Sequence, residues 1–395
     1  MRLLTVFHYP VYGGPQNQAA RLNAALAASG IHTTAVVPME AQEAADRLSE
    51  SGVAVVPLPL HRWRARRDVR VHAETLRSMP IDIAALRRVI RGVRADLVQV
   101  NGLVNPHAAI AARLEGAAVV WQLQDLWGPR WLRAACMPLV LSLADVVMTT
   151  GRAVRSRHLG LGVLGGRTVV YYPPVDTELF SPRDEERGSV RARLGLPDDG
   201  SLVVGALGNV NPDKGLLYAI RAVAACACAD SLRLVVLGAR SATQRGYEER
   251  LRAEAASLGL AEDRRFAIVE PGRDLPQLLR AVDIGLLTSV SEGVPTMMLE
   301  AMATGVPVVA TDVGGVTEAV RNGVDGIVVE PRDVVGIAAA LSRLAADEDV
   351  RVGLGRRSRQ TVLERFSVAS CMRTHVHAYR LAVEHRAARL GRVRR

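Results

Sequence analysis

"SEGVPTMMLEAMATGVPVVATDVGG", residues 291–315, decides how the chain is read. It sets Glu292 and Glu300 eight residues apart around a short apolar stretch, then runs through Gly305, Pro307, Gly314 and Gly315. A helix that only packs against a core needs neither acid. The preceding "IGLLT" reads as a strand ending near Thr288, and Pro295 suits the first turn of a helix over Thr296–Thr304. Glu292 then falls at the carboxyl end of a strand. The N–H groups of Thr296, Met297, Met298 and Leu299 open a helix, a ready place for phosphate. Glu300 lies one turn in, where a carboxylate can accept hydrogen bonds from a ribose diol. The glycines that follow allow close backbone approach. The competing reading is a capping glutamate plus an exposed one.

Outward from this stretch, strand-like apolar runs alternate with helical patterns. In the first half, strands are expected near Leu3–His8, Thr33–Val37, Ala54–Val56, Leu97–Val100, Val119–Leu123 and Val146–Thr149, with helices at Pro15–Ala28 and Pro106–Leu114. After a stretch rich in Pro, Gly and charge, "YYPPVDTELFSPRDEERGSVRARLGLPDDG", the pattern restarts. Strands are expected near Leu202–Leu207, Leu232–Leu237, Phe266–Val269, Ile284–Thr288, Val306–Ala310 and Gly326–Val329. The helices between and after them span Lys214–Ala227, Gly246–Leu258, Leu275–Ala281, Val334–Ala346 and Val350–Arg359. Such alternation signals parallel sheets covered on both faces. The fold class is α/β, with two Rossmann-like domains facing across a cleft. They cover residues 1–174 and 175–366, and a helical segment over about 367–395 is left over that could pack on either half, including back on the first. Ligands of such sheets bind outside the carboxyl ends of the strands.

The 395 residues are 49% apolar and suffice for two cores. The longest uncharged apolar run, Ala134–Ala144, is far short of the roughly 20 residues of a spanning helix. "MRLLTVFHYP" reads as a first strand and not a signal peptide, which gives a cytoplasmic expectation. Cys136, Cys226, Cys228 and Cys371 are too scattered for a disulfide framework or zinc site and read as small apolar residues. The net charge is +10. Residues 61–94 carry ten arginines against Asp68, Glu74 and Asp82. They read either as solvated helix faces or as a surface drawn to an anionic membrane, in peripheral contact, or to an acidic acceptor. Nucleic acid is not expected, since only Trp63 could stack there. Among 50 basic residues Lys214 is the only lysine, which marks a place where a compact point charge is wanted.

Two motifs fail on context. "GLGVLG", residues 160–165, has the spacing of a dinucleotide loop, but it follows a helical stretch and precedes the strand-like "RTVVYY". "DED", residues 347–349, mimics a metal-holding pair beside a polar helix end. A solvated turn is the reading there.

The E-x7-E stretch with "EAMATGVPVVATDVGGVTE" resembles the nucleotide-sugar site of retaining GT-B glycosyltransferases of family 4. Other pieces are similar in the expected order. "YPVYGGPQNQAARLNAALAASG" resembles the family's first glycine-rich loop and helix. "LADVVMTTG" resembles its AD-strand segment, and "YYPPVDTELFSP" its interdomain segment. "GALGNVNPDKGLLYAIRAVA" resembles the segment carrying a phosphate-binding lysine, at which position Lys214 falls. These pieces span nearly the whole chain.

The resemblance implies a metal-independent hexosyltransferase moving a sugar from a UDP- or GDP-linked donor to a hydroxyl acceptor. The setting would be envelope glycan, glycolipid or natural-product synthesis in a GC-rich bacterium. No cofactor is implied beyond the nucleotide sugar as co-substrate. Lys214, backbone near Gly14 and the helix at Thr296 would neutralise the leaving diphosphate. Glu300 would hold the ribose and Glu292 the donor sugar. The base would lie near Gly208, Gly238 and the 269–272 loop, and the acceptor near Gly13, Gly14, Pro15 and Gln16. Breaking the glycosyl–phosphate bond builds negative charge on the diphosphate and positive charge on the sugar, which such groups stabilise. Two departures stand out. Asn209 replaces the family's arginine, and Gln124, beside Asp125, replaces its histidine. Gln124 can donate a hydrogen bond but cannot shuttle a proton, and His8, Arg130 or Arg133 would compensate. A degenerate sugar-nucleotide-binding subunit and a sugar-nucleotide epimerase are the alternatives.

Overall fold

The structure is a computed structural model of the chain. It describes residues 1–10, 12–61, 69–124, 130–183, 187–194, 199–240, 244–260 and 265–393, with the backbone alone for 69–76 and 392–393. Trp63, Asp125 and the arginines at 62, 64, 66 and 67 lie outside the described residues, as does the side chain of Arg70. The chain divides into two compact units, one of residues 1–174 with 368–395 and one of residues 175–367.

In the first unit the strands are β1 (Arg2–Val6), β2 (His32–Pro38), β3 (Ala54–Leu58), β4 (Leu97–Asn101), β5 (Ala118–Leu123), β6 (Val146–Thr150) and β7 (Thr168–Tyr171). They form one parallel sheet in the order β3-β2-β1-β4-β5-β6-β7. The helices are α1 (Gly14–Ala28), α2 (Gln42–Glu50), α3 (Val69–Val93), α4 (Pro106–Leu114), α5 (Arg130–Leu143) and α6 (Gly151–Ser156). The inner strands are wholly buried because helices cover both faces, so they read as continuous apolar runs and not as alternating ones. The strand order reverses between β1 and β4, which makes their carboxyl ends this sheet's switch point.

The second unit carries α7 (Arg187–Arg193), β8 (Leu202–Leu207), α8 (Leu216–Ala224), β9 (Leu232–Leu237), α9 (Arg245–Ser257), β10 (Phe266–Val269), α10 (Leu275–Arg280) and β11 (Ile284–Leu287). It continues with α11 (Thr296–Ala303), β12 (Val308–Thr311), α12 (Val316–Ala319), β13 (Ile327–Val329), α13 (Val334–Ala346) and α14 (Glu348–Arg365). Its parallel sheet runs β10-β9-β8-β11-β12-β13, with the switch point between β8 and β11. The core gathers Val204, Leu234, Val236, Ile284, Leu286 and Val309 under Ile220, Leu251 and Leu341.

The last helix, α15 (Val368–Val393), packs on the first unit, where Ala378, Tyr379 and Ala382 join Leu97, Val120, Val146 and Met148. A buried carboxylate fixes it there. Asp145 accepts both oxygens' worth of hydrogen bonds from Arg113, one from the Val119 N–H, and contacts His385 Nδ1 at 2.9 Å.

Residues 161–167 form a 3-10 segment leading into β7, so "GLGVLG" opens no helix of a dinucleotide unit. Asp347 is the N-cap of α14, its carboxylate accepting from the Val350 N–H at 2.9 Å. That capping role accounts for the "DED" sequence. The expected helix through Cys226 ends at Ala224, with Cys226 buried behind it, and all four cysteines are free. Among the described residues no helix is long and apolar enough to cross a membrane.

Candidate functional site

At the switch point of the second sheet, β8 runs into Gly208, Asn209 and a 3-10 turn over Pro212–Lys214, while β11 runs into Thr288, Ser289 and Glu292. Three hydrogen bonds stitch these loops and the end of β12 together. Thr288 Oγ1 donates to the Lys214 carbonyl at 3.0 Å, the Val290 N–H to the Asp213 carbonyl at 2.8 Å, and Thr311 Oγ1 to the Ser289 carbonyl at 2.6 Å. Across this seam Lys214 Nζ reaches Glu292 Oε1 at 2.5 Å. The stem of Lys214 lies on Gly208, where a Cβ would come within 2.9 Å of Lys214 Cδ. The lysine side chain is 22% exposed and the glutamate 9%, so the pair is neither dry nor freely solvated.

Ser289, which the sequence reading missed, donates its hydroxyl to the same Glu292 oxygen at 2.6 Å. The S-x-x-E spacing of Ser289 and Glu292 could have pointed to it. Gly314, at φ +58°, backs the glutamate: a Cβ there would stand 2.0 Å from the Glu292 carbonyl oxygen. The Gly315 N–H closes the contact with the Gly293 carbonyl at 2.7 Å.

Helix α11 follows, with Pro295 as its N-cap. Its geometry leaves the N–H groups of Thr296, Met297 and Met298 without acceptors inside the helix. Leu299 is a correction. Its N–H bonds the Pro295 carbonyl at 3.3 Å and its side chain is fully buried, so it offers a ligand nothing. The Met298 side chain is buried as well, and only its N–H is available. Glu300 is in the helix and 3% exposed. Asn209 is exposed, and its Oδ1 accepts from the Ala239 N–H at 3.2 Å, which ties the end of β8 to that of β9. Its role in this fold is to hold that loop, in the place where the family has a cation.

In the first unit, Gly13 is the N-cap of α1 and Gly14 and Pro15 open it. Gln16 is also a correction. It is 2% exposed, its Oε1 accepts from the Gly13 N–H at 3.3 Å, and its Nε2 donates to the Tyr9 carbonyl at 3.4 Å. The side chain folds the loop onto the helix and does not reach out to an acceptor, whereas Gly14 is exposed.

Gln124 follows β5 and caps a ladder of buried amides. Asn101 Nδ2 donates to the Val6 carbonyl at 3.1 Å and to Thr5 Oγ1 at 2.9 Å. A main-chain carbonyl can only accept, so Asn101 must turn its oxygen toward its other neighbours. That oxygen takes Gln99 Nε2 at 3.1 Å and Gln124 Nε2 at 3.3 Å. Gln124 Nε2 also donates to Gln122 Oε1 at 3.0 Å. Both amide protons of Gln124 are thereby committed, and it presents its Oε1. The donor role expected of Gln124 is corrected to that of an acceptor.

The groups expected to compensate are dispersed. His8 is buried at the end of β1, its ring 4.2 Å from that of Tyr9 and against Gly102. Arg130 is exposed at the start of α5, and Arg133 is half-buried one turn on. Nearby His107 is buried, and desolvation lowers its pKa to about 4 despite the opposing pull of Asp82.

Two family models match in tandem: "Glycosyl transferase 4-like domain" over residues 13–174 and "Glycosyl transferases group 1" over residues 190–361. The D-inositol 3-phosphate glycosyltransferase of Acidothermus cellulolyticus is 38% identical over 229 residues, 55% of this chain and 50% of that protein. That of Salinispora arenicola is 39% identical over 203 residues, 49% of this chain and 45% of its own length. The chain thus spans about half the length of these curated relatives. Among solved structures, Anabaena Alr3699/HepE in complex with UDP-glucose aligns with a TM-score of 0.81 at 20% identity, covering 95% of this chain and 98% of that one. A glycosyltransferase from Rickettsia africae aligns at 0.79 and 17% identity, over 96% and 97%. These likenesses show the fold, two parallel-sheet Rossmann-like units of the GT-B architecture. With both of its units matched in order, the chain belongs to the group 1 glycosyltransferases, of the 4-like kind.

Proposed function

We propose that the protein transfers a sugar from a nucleotide-sugar donor, UDP- or GDP-linked, to a hydroxyl acceptor with retention. The observation that carries this reading is the Lys214–Glu292 contact at the switch point of the second sheet, beside the open start of α11. A cation and unpaired helix N–H groups suit a leaving diphosphate, and a held carboxylate suits the hydroxyls and developing positive charge of the donor sugar. Glu300 would take the ribose, and the ends of β8, β9 and β10 the base. Preorganised donors of this kind contribute on the order of 3 kcal/mol each to the barrier. The HepE structures, solved with UDP, glucose and UDP-glucose, support a UDP-linked donor. The acceptor is a polyol or sugar hydroxyl docking near Gly13, Gly14 and Pro15, and inositol phosphates head the acceptors to try, given the names of the relatives.

The arginines of 61–94 supply a peripheral contact with anionic membrane. On α3, Arg77, Arg88 and Arg91 are exposed, together with Ile81, and so is Arg94 just past its end. A groove of about 320 Å³ lined by Met79, Pro80, Ile83, Ala84 and Arg87 lies on the same helix.

Asn209 and Gln124, standing where the family has ionisable groups, favour a second reading, a non-catalytic sugar-nucleotide-binding subunit. Nucleotide release separates the two. Incubation with UDP- and GDP-sugars and an acceptor panel should liberate nucleoside diphosphate, and Glu292→Ala should abolish most of it while leaving nucleotide binding. Binding without any release supports the subunit reading, and neither binding nor release sinks both.

A further inference from the structure

Glu292 Oε1 accepts two hydrogen bonds at once, from the Lys214 ammonium at 2.5 Å and from the Ser289 hydroxyl at 2.6 Å. The two donors are built differently. Lys214 is the end of a long stem lying on Gly208, and its side chain keeps 22% of its surface open. Ser289 is fully buried, and its own carbonyl is fixed by Thr311 Oγ1 at 2.6 Å, between β11 and β12. One partner can swing away and the other cannot.

A diphosphate entering this site competes with Glu292 for the ammonium. Both are anions, and an ammonium held at 2.5 Å by a carboxylate has part of its charge already neutralised. We infer that Lys214 exchanges Glu292 for the donor's diphosphate, and that Ser289 is the positioning residue that keeps the Glu292 carboxylate aimed through the exchange. The inference rests on the donor-site reading above. It adds that the free site is self-paired, so Glu292 weakens binding of the diphosphate while serving the sugar.

The test begins by finding which of UDP, GDP and ADP raises the melting temperature of the wild-type protein, and then titrates that nucleotide calorimetrically at low salt. Glu292→Gln should bind it about fivefold more tightly than wild type, the size of one partly exposed ion pair. In a Lys214→Ala background the gain from Glu292→Gln should shrink below about twofold, because exchange requires the lysine. A gain that persists there reflects plain repulsion and overturns the exchange, as does a loss of affinity in Glu292→Gln itself.

For Ser289→Ala, nucleotide affinity should stay within about twofold while turnover of the matching nucleotide-glucose falls about tenfold, as for one lost hydrogen bond to a charged group. In the Glu292→Gln background Ser289→Ala should change turnover little. An equal loss in both backgrounds overturns the positioning role. Should Ser289→Ala fail to fold, the Glu292→Gln and Lys214→Ala arms still decide the exchange. If no nucleoside diphosphate stabilises the wild type, or Lys214→Ala binds it unchanged, the donor-site reading itself has failed, which is a different result from either of those.

Discussion

Replacing Gly314 with alanine tests whether the backbone behind Glu292 is as tightly set as the geometry implies. Gly314 has φ +58°, a left-handed conformation that costs an alanine about 1–2 kcal/mol. The added Cβ would stand 2.0 Å from the Glu292 carbonyl oxygen, where real Cβ contacts do not fall below 3.0 Å. The two loops must therefore part by about 1 Å, and a shift of that size costs turnover about 100-fold. Parting also weakens the 2.7 Å bond from the Gly315 N–H to the Gly293 carbonyl, worth about 1 kcal/mol. Together these give a stability loss of about 2–3 kcal/mol, or roughly 4–12 °C in the melting of a unit this size. Nucleotide affinity should change less than turnover, because Lys214 lies on a different loop, the one after β8.

The control is Gly323→Ala. It carries the same left-handed penalty at φ +74° with open space around its Cβ, so it should melt lower but turn over normally. The assay is nucleotide release from the donor, paired with thermal unfolding. A Gly314→Ala protein with wild-type turnover, or one no more impaired than Gly323→Ala, refutes the argument that this contact places Glu292.

Three further outcomes are expected. Lys214→Ala should weaken nucleoside diphosphate binding about tenfold or more, read by calorimetry, since it removes a charge-assisted hydrogen bond to phosphate. Stability should fall on acidification: burial lowers His107 and His375 from 6.5 to about 4, so between those values the unfolded chain binds protons that the folded chain refuses. Their contribution is whole above pH 6.5 and is lost as the pH drops toward 4; a melting temperature flat between pH 6.5 and 5 would contradict it. Finally, Arg77→Gln with Arg88→Gln should reduce co-sedimentation with phosphatidylserine vesicles at low salt, at about 1 kcal/mol per arginine. Arg87, already bonded to Glu115 at 2.6 Å, should matter less, and equal sedimentation of variant and wild type would remove the membrane contact.

Much of the fold was legible because a strand buried on both faces is a continuous apolar run. The strands Leu202–Leu207, Leu232–Leu237 and Phe266–Val269 fall where expected, to the residue. Ends were less legible where caps set them. Helix α8 begins at Leu216 and not Lys214, because Pro212–Lys214 makes a 3-10 turn and Gly215 a left-handed break. Helix α14 begins earlier than expected because Asp347 caps it. In the candidate site, the residue types around Lys214 and Glu292 could be read locally. Their contact could not, since 78 residues separate them and only the β8–β11 pairing brings them together. Gln16 misled for a related reason: a glutamine at a glycine-rich helix start looks available, and its capping of Gly13 is visible only in three dimensions.

The amide ladder of the first unit is the feature least legible beforehand, although "LVQVN" and "VVWQLQ" place amides at alternate positions along and just past buried strands. Burying Gln99, Asn101 and Gln122 in a sheet core is unfavourable unless their polar groups are met. Here they are met in sequence. Tyr379 donates to Gln99 at 2.5 Å, Gln99 to Asn101 and Thr5, and Asn101 to the Val6 carbonyl. On the other branch Gln18 donates to Gln122 at 3.3 Å and contacts His375 Nε2 at 2.9 Å. His375 Nδ1 faces the Cys371 carbonyl, which requires the proton on that nitrogen and leaves Nε2 to accept. Each branch thus ends on a main-chain carbonyl, a group whose role as acceptor cannot flip. Apolar replacements would fill the same space, but they could not tell Gln124 which way to turn. The ladder's consequence is one amide oxygen held outward at the carboxyl edge of β5, and its cost is tolerable only because every member has a partner.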